Sequence, residues 1–153
     1  MLIQEADISK FTWWNMIKFE GLDKVLKNLE RVGEGIDLEE AMGKACALVE
    51  RSAKENAPKD TGALRNSITS RVEKEGGDVR GVVYTPLEYA PYIEYGTGLF
   101  AEEGGRTDVP WCYQDDNGEW HSTKGMKPHP FLRPALDDNR AQIIRILKEG
   151  KKK

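Results

Sequence analysis

Cysteine and histidine are scarce: the 153 residues contain two of each. Cys46 and Cys112 stand far apart, without the closely spaced pair that marks a structural zinc site. Both are expected as free thiols, Cys46 packed within a helix. No apolar run approaches the ~18–20 residues that cross a bilayer. Glu5 and Asp7 sit where a secretory leader carries a basic flank and an apolar stretch. Membrane insertion and classical secretion are therefore not expected. Nor is positive charge in excess. Twenty-three Lys and Arg against 26 Asp and Glu leave a net −3, which disfavours a dedicated nucleic-acid binder.

The chemistry-bearing patterns are equally thin. Gly96-Thr97-Gly98 lacks the following Gly-Lys-Ser/Thr of a phosphate loop. Glu102-Glu103, Asp115-Asp116 and Glu119 lack the regular oxygen spacing of a calcium loop. Cys112, His121 and His129 are the soft ligands of one region, with His121 expected on a strand surface and His129 in a loop between prolines. No nucleophile has an orienting partner and an oxyanion nest. The expectation is no bound metal, no cofactor and no enzyme. The rival readings are a small metal-dependent hydrolase or nuclease using the acidic loop, and a nucleic-acid-binding accessory protein using the basic end.

What the chain does have is segregated charge and three short motifs. Residues 1–97 carry 13 bases and 17 acids, residues 98–120 carry Arg106 against six acids, and residues 121–153 carry nine bases against three acids. An acidic segment followed by a basic end suits complementary surfaces, within one chain or between copies. Residues 1–15 read as an N-terminal extension or arm, in which Phe11, Trp13 and Trp14 form an aromatic knot suited to an interface. Trp111 and Trp120 are further interface candidates.

A domain is expected over 16–148, with a variable acidic loop and hairpin at about 98–124, and a basic tail at 149–153. Met16–Gly21 alternates as a half-buried strand does. Leu22, Val25, Leu26, Leu29 and Val32 make one helical stripe. Asp37 is placed to cap a second helix, with Leu38, Met42, Ala45, Leu48, Val49, Ser52 and Ala53 inward and Pro58 ending it. Two hairpins follow, 68–73 with 79–84 and 111–114 with 119–122, the second turning at Asn117-Gly118. In that second hairpin Trp111, Tyr113 and Trp120 are expected to pair across strands. Between the hairpins lies a short helix over 88–95, with Tyr89, Tyr92 and Ile93 inward. Leu132, Leu136, Ile143 and Leu147 share one face of a single terminal helix, which Ala135 and Ile144 widen. The fold class is α+β: an antiparallel sheet of about four strands with two or three helices packed on one face.

The three motifs are Ala57-Pro58-Lys59-Asp60-Thr61-Gly62-Ala63-Leu64-Arg65, Tyr89-Ala90 with Glu94-Tyr95-Gly96-Thr97, and Pro130-Phe131-Leu132-Arg133-Pro134-Ala135. In this order they resemble the gene-product-ten-like tail components of long-tailed bacteriophages, a family of neck or tail-completion proteins. The resemblance runs from about Met16 to Leu147. It implies a non-enzymatic virion protein that acts by protein–protein assembly where head joins tail, made in the host cytoplasm. Its partners would be other copies of itself in a six-fold ring, and the phage connector, stopper and tail-terminator or tail-tube proteins. Proximity to DNA would be non-specific, and no membrane is involved. The matched residues are read physically as structural. Gly62 and Gly96 permit positive φ, Asp60 and Thr61 can cap free amides, Arg65 and Glu94 can pair, and Phe131 is a core residue.

Overall fold

The computed structural model of the chain describes residues 16–18, 38–75, 78–102, 105–115 and 117–149. The aromatic knot at Phe11, Trp13 and Trp14, the helix expected over 22–32, the Asp37 cap and the tail beyond 149 lie outside them. The chain divides into two compact units, one built from residues 1–86 with 131–153, the other from 87–130.

The first unit is organised by α1 (Leu38–Asn56), whose sequence fits its role. Glu39 and Glu40 sit in the first turn and Lys54 in the last, as the helix dipole favours. Glu40–Lys44 and Glu50–Lys54, each at 2.6 Å, place the acid N-terminal to the base at i, i+4. The buried face is Ala41, Met42, Ala45, Cys46, Val49 and Ala53. Four of those six are small, so neighbouring elements approach the helix backbone closely. Ala57 donates its amide to the Ala53 carbonyl at 2.9 Å, and Pro58 follows where no further helical amide is available.

Against this face pack β2 (Thr69–Glu75) and β3 (Asp78–Tyr84), a hairpin in continuous register from Thr69↔Tyr84 to Glu75↔Asp78. Short β1 (Met16–Lys18) adds to the other edge of β3, antiparallel, giving the order β1-β3-β2. Val82 and Val83 point to opposite faces of β3 and are both fully buried, so the central strand is shielded on both sides. Polar links also join the helix to the sheet: Glu39 pairs with Lys74, and the Glu50 carboxylate accepts from Ser70 Oγ at 2.6 Å as well as from Lys54. Partial burial opposes its charge, but Lys54 and Ser70 outweigh that and hold its pKa below the ordinary glutamate value.

The expected single terminal helix is in fact two, α4 (Leu132–Asp137) and α5 (Arg140–Glu149). Asn139 marks the break by turning its side chain back onto the Ala135 carbonyl at 2.8 Å while its own carbonyl starts α5. Leu132, Ala135, Ile143 and Leu147 are buried, whereas Leu136 and Ile144, expected on the same face, are half-buried; both helices pack on α1. Phe131, just before α4, is completely buried.

The expected single sheet of about four strands is also corrected. Among the described residues five strands form two separate antiparallel sheets, three in the first unit and two in the second, where β4 (Trp111–Gln114) pairs with β5 (Trp120–Thr123). The α+β class stands. Among the described residues no helix is long and apolar enough to cross a membrane.

The two thiols are sharply different. Cys46 is buried, its Sγ 3.8 Å from the Arg71 carbonyl, and burial pushes its pKa up to about 11; Cys112 is exposed. At pH 8 a disulfide reagent should titrate one thiol rapidly in the native protein and the second only after denaturant is added. Conversion of both at the same rate would show that the α1–sheet core opens readily.

Candidate assembly surface

The first motif forms the turn after α1. Gly62 has φ +79°, and α2 (Ala63–Ser67) begins directly after it. Thr61 Oγ1 accepts the Ala63 amide at 3.3 Å, while Asp60, expected to share that work, is solvent-facing. Leu64 is buried and Arg65 exposed. Ser67 gives its hydroxyl proton to the Leu64 carbonyl at 2.7 Å, which leaves buried Thr85 to donate to Ser67 across 2.7 Å. The third motif lies mainly in the same unit: Phe131 and Ala135 are buried, Pro134 is half-buried within α4, and Pro130 is exposed at the end of the other unit. α1 packs against both α2 and α4, so these two motifs flank one helix.

The second motif organises the 87–130 unit. Here α3 (Ala90–Tyr95) buries Ala90, Pro91 and Glu94. The expected inward face is therefore wrong: Tyr89 and Tyr92 are exposed and Ile93 is half-buried. The inner positions are held by Ala90, Pro91 and Glu94 instead. The Ile93 carbonyl accepts from His129 N at 2.7 Å, and the Tyr95 carbonyl from Glu102 N at 3.0 Å. Glu94 is 2% exposed within this helix.

Beyond it, Gly96-Thr97-Gly98 lies directly against Lys124-Gly125-Met126. Thr97 N donates to the Met126 carbonyl at 2.9 Å and Leu99 N to the Lys124 carbonyl at 3.0 Å; Thr97 Oγ1 accepts from Met126 N at 2.9 Å. Gly98 has φ +60° and Gly125 φ +113°. A Cβ on Gly98 would collide with the Lys124 carbonyl and come 2.8 Å from Gly125 Cα; one on Gly125 would collide with Thr97. Two backbones touch here with no side chain between them.

From this clasp projects the β4–β5 hairpin. Its register, Trp111↔Thr123, Tyr113↔His121 and Gln114↔Trp120, corrects the expected aromatic ladder. Trp120 lies opposite Gln114, on the other face from Trp111 and Tyr113, and Tyr113 instead stacks on His121 with ring centroids 5.3 Å apart. Trp111 receives the Arg106 guanidinium, 5.2 Å from its ring centroid. The turn is knotted by Asp115: Oδ1 accepts the Asn117 and Glu119 amides at 3.0 and 2.9 Å, and Oδ2 lies 3.0 Å from His121 Nε2. The hydrogen bond from His121, followed by that from the Glu119 amide, holds the Asp115 carboxyl below the ordinary aspartate value.

Asp115, Glu119 and His121 thus bring three ligand atoms within 4.8 Å of one another. Cys112 pairs with Ser122 on the opposite face from His121, and His129 is not in the group. Both Asp115 oxygens already serve the turn, so the cluster is first of all a hairpin device.

Comparison with known proteins gives one finding. A family model described as "Bacteriophage HK97-gp10, putative tail-component" matches residues 23–96, just under half of the chain. Over that span this is an HK97-gp10-like sequence. No curated protein and no solved structure matches the chain. The HK97-gp10-like segment contains the first motif entire and the second through Gly96. The Pro130–Ala135 motif and the β4–β5 hairpin lie outside it.

Sequence reasoning missed the partner of the Gly96-Thr97-Gly98 turn. Gly125 was the only available signal, a glycine outside any turn dipeptide, and nothing local says what it faces. The exposure of Tyr89 and Tyr92 was missed too. Every large apolar side chain that is exposed among the described residues belongs to the 87–130 unit, Trp120 at 71% and Leu99 at 52% leading.

Replacing Gly62 by Ala tests strain alone, because the nearest atom to a Cβ there is Asn66 Nδ2 at 3.7 Å. It should cost about 1–2 kcal/mol in denaturant unfolding. Gly98→Ala adds collision to strain and should cost more, with faster hydrogen exchange at Thr97, Leu99 and Met126. Equal costs would mean that the clasp is loose. In the hairpin, Asp115→Ala should speed exchange at Asn117 and Glu119 while leaving α1 amides protected. Because the folded-state pKa of Asp115 is depressed, its contribution is complete above the ordinary unfolded value near ~3.9 and fades as pH falls towards the folded one. Exchange at those two amides that ignores acidification would remove Asp115 from the turn.

Proposed function

We propose that the protein is a structural component of a bacteriophage particle, acting in the neck or tail by protein–protein assembly in several copies around the tail axis. The observation that carries this reading is the HK97-gp10 family match over 23–96, which spans the turn after α1 and the Tyr89–Gly96 segment together. The physical description agrees with it. The side chains singled out by the motifs cap, turn and pack, and none is aimed into a reactive constellation.

On this reading the protein serves head–tail joining or tail completion in a ring of copies, and meets the connector, stopper and tail-terminator or tail-tube proteins. It resides in the virion after assembly in the host cytoplasm, with DNA passing near but unread. The unit of 87–130 supplies the contact surface, through Trp120, Trp111 and the exposed tyrosines. Trp and Tyr are the side chains on which interfaces most often concentrate their energy.

A metal-dependent hydrolase has one observation in its favour, the Asp115–Glu119–His121 group. It is the weaker reading, since Asp115 is committed to two backbone amides and His121 to a ring stack.

The deciding experiment disrupts the gene in a phage or inducible prophage that carries it and images the lysate. Full heads separated from tails, or tails of irregular length, with recovery when the protein is supplied in trans, is the expected outcome. Normal yields of intact particles would overturn the proposal.

A further inference from the structure

The two units differ in surface chemistry in a way that assembly alone does not require. Residues 87–130 carry eight acids against three bases, and they hold the exposed apolar side chains noted above. Among these acids Glu94 is buried, Asp108 takes Arg106 Nε and Nη2 at 2.7 Å each, and Asp115 holds the turn. Glu88 and Glu119 are exposed, Glu119 immediately beside Trp120. An exposed indole next to a carboxylate at a hairpin tip is suited to a surface that is apolar and basic.

The same chain carries such a surface. α5 buries Ile143 and Leu147, and Ala141, Ile144, Arg145 and Lys148 form a neighbouring stripe at i, i+3, i+4 and i+7. Ile144 is half-buried at the edge of that stripe, and Ala141, Arg145 and Lys148 are exposed along it. Arg145 meets Glu149 only at 3.3 Å, and both side chains are largely in water, so that pair costs little to rearrange. Over 131–153 there are seven bases and three acids.

We infer that the β4–β5 hairpin tip of one copy, around Glu119 and Trp120, docks on the Ile144–Arg145–Lys148 stripe of α5 in a second copy. The occupant is a second copy because both halves of the complement are encoded in one sequence, the acidic-aromatic half in 87–130 and the basic-apolar half in α5. The contact joins unlike patches, so each copy keeps one unused hairpin and one unused helix. Such a heterologous contact propagates into a ring or a filament instead of stopping at a dimer. This inference rests on the assembly reading given under Proposed function and names the surfaces that reading leaves open.

The test is sedimentation velocity on the full chain across concentration, with two variants whose changes fall on exposed side chains. Glu119→Lys with Trp120→Ala disables the hairpin; Arg145→Glu with Lys148→Glu disables the helix. Wild type should self-associate, more weakly as salt rises. Each variant alone should associate at least about tenfold more weakly, a loss that one or two hot-spot side chains can produce. An equimolar mixture should recover association and stop at a heterodimer, since only one intact hairpin and one intact helix remain. Circular dichroism and melting identical to wild type keep folding out of the comparison.

Three results overturn the inference. The first is a wild type that stays monomeric at about 1 mM, where even a millimolar contact is half formed. The second is a helix variant that self-associates like wild type, which assigns the hairpin to another partner or to itself. The third is a mixture that fails to recover, which denies that the two patches meet. The virion role is judged separately. A monomer that still completes particles sinks this contact alone, and a protein that self-associates in this way but is dispensable for particles sinks the role alone.

Discussion

The 87–130 unit depends on a place where two backbones meet without side chains. Gly98 and Gly125 bring 96–99 and 124–126 into contact, and three hydrogen bonds close the gap. The physical consequence is loop closure. The clasp fixes both ends of a 25-residue excursion, so the chain between them need not be anchored by a large core of its own. That is why residues 99–123 can spend their apolar side chains outward. It also explains the hairpin's self-sufficiency. Arg106 on Trp111, Tyr113 on His121 and Asp115 on its own turn all operate within the excursion.

The first unit solves a different problem with the same means, small residues. Ala41, Ala45, Ala53 and Ala57 are almost completely buried and contribute little apolar area each. Their value lies in letting the sheet, α4 and α5 come close to α1, where Met42, Val49, Phe131, Ile143 and Leu147 then fill the space at core density. A larger residue on that alanine face would push several elements apart at once. The polar Glu50–Ser70 link adds direction to this packing, since it holds only in one register of helix on sheet.

What could be read from sequence follows from the range of the interactions. Helix α1, the first hairpin and the turn at Asn117-Gly118 are written in local patterns: an apolar stripe, an alternation, a dipeptide. They are found where expected. The break between α4 and α5 was not legible, because Asp138 and Asn139 continue a helical stripe perfectly well. Only the back-bond of Asn139 to Ala135 decides the matter. The inward turn of Tyr89 and Tyr92 failed for the opposite reason. Periodicity asks which residues are apolar, whereas this helix buries an alanine, a proline and a glutamate and leaves its tyrosines in water. The division into two sheets, and the meeting of Gly98 with Gly125, depend on contacts between residues more than twenty apart. Of the candidate surface, the acidic segment and its tryptophans were legible as composition, whereas the exposure of Tyr89 and Tyr92 beside them was not, since exposure is a property of the folded chain.

A surface that keeps tryptophan, tyrosine, leucine and phenylalanine in water is a liability unless something covers it. Scattered singly, such residues need no explanation. Among the described residues they are confined to one unit of 44 residues and set among acids, and there they do. The acids keep the free surface hydrated and make the same patch selective, since an apolar surface of like charge is repelled before the rings can bury. The assembly role proposed above has a use for both properties: a patch that waits in water and then closes on one kind of partner.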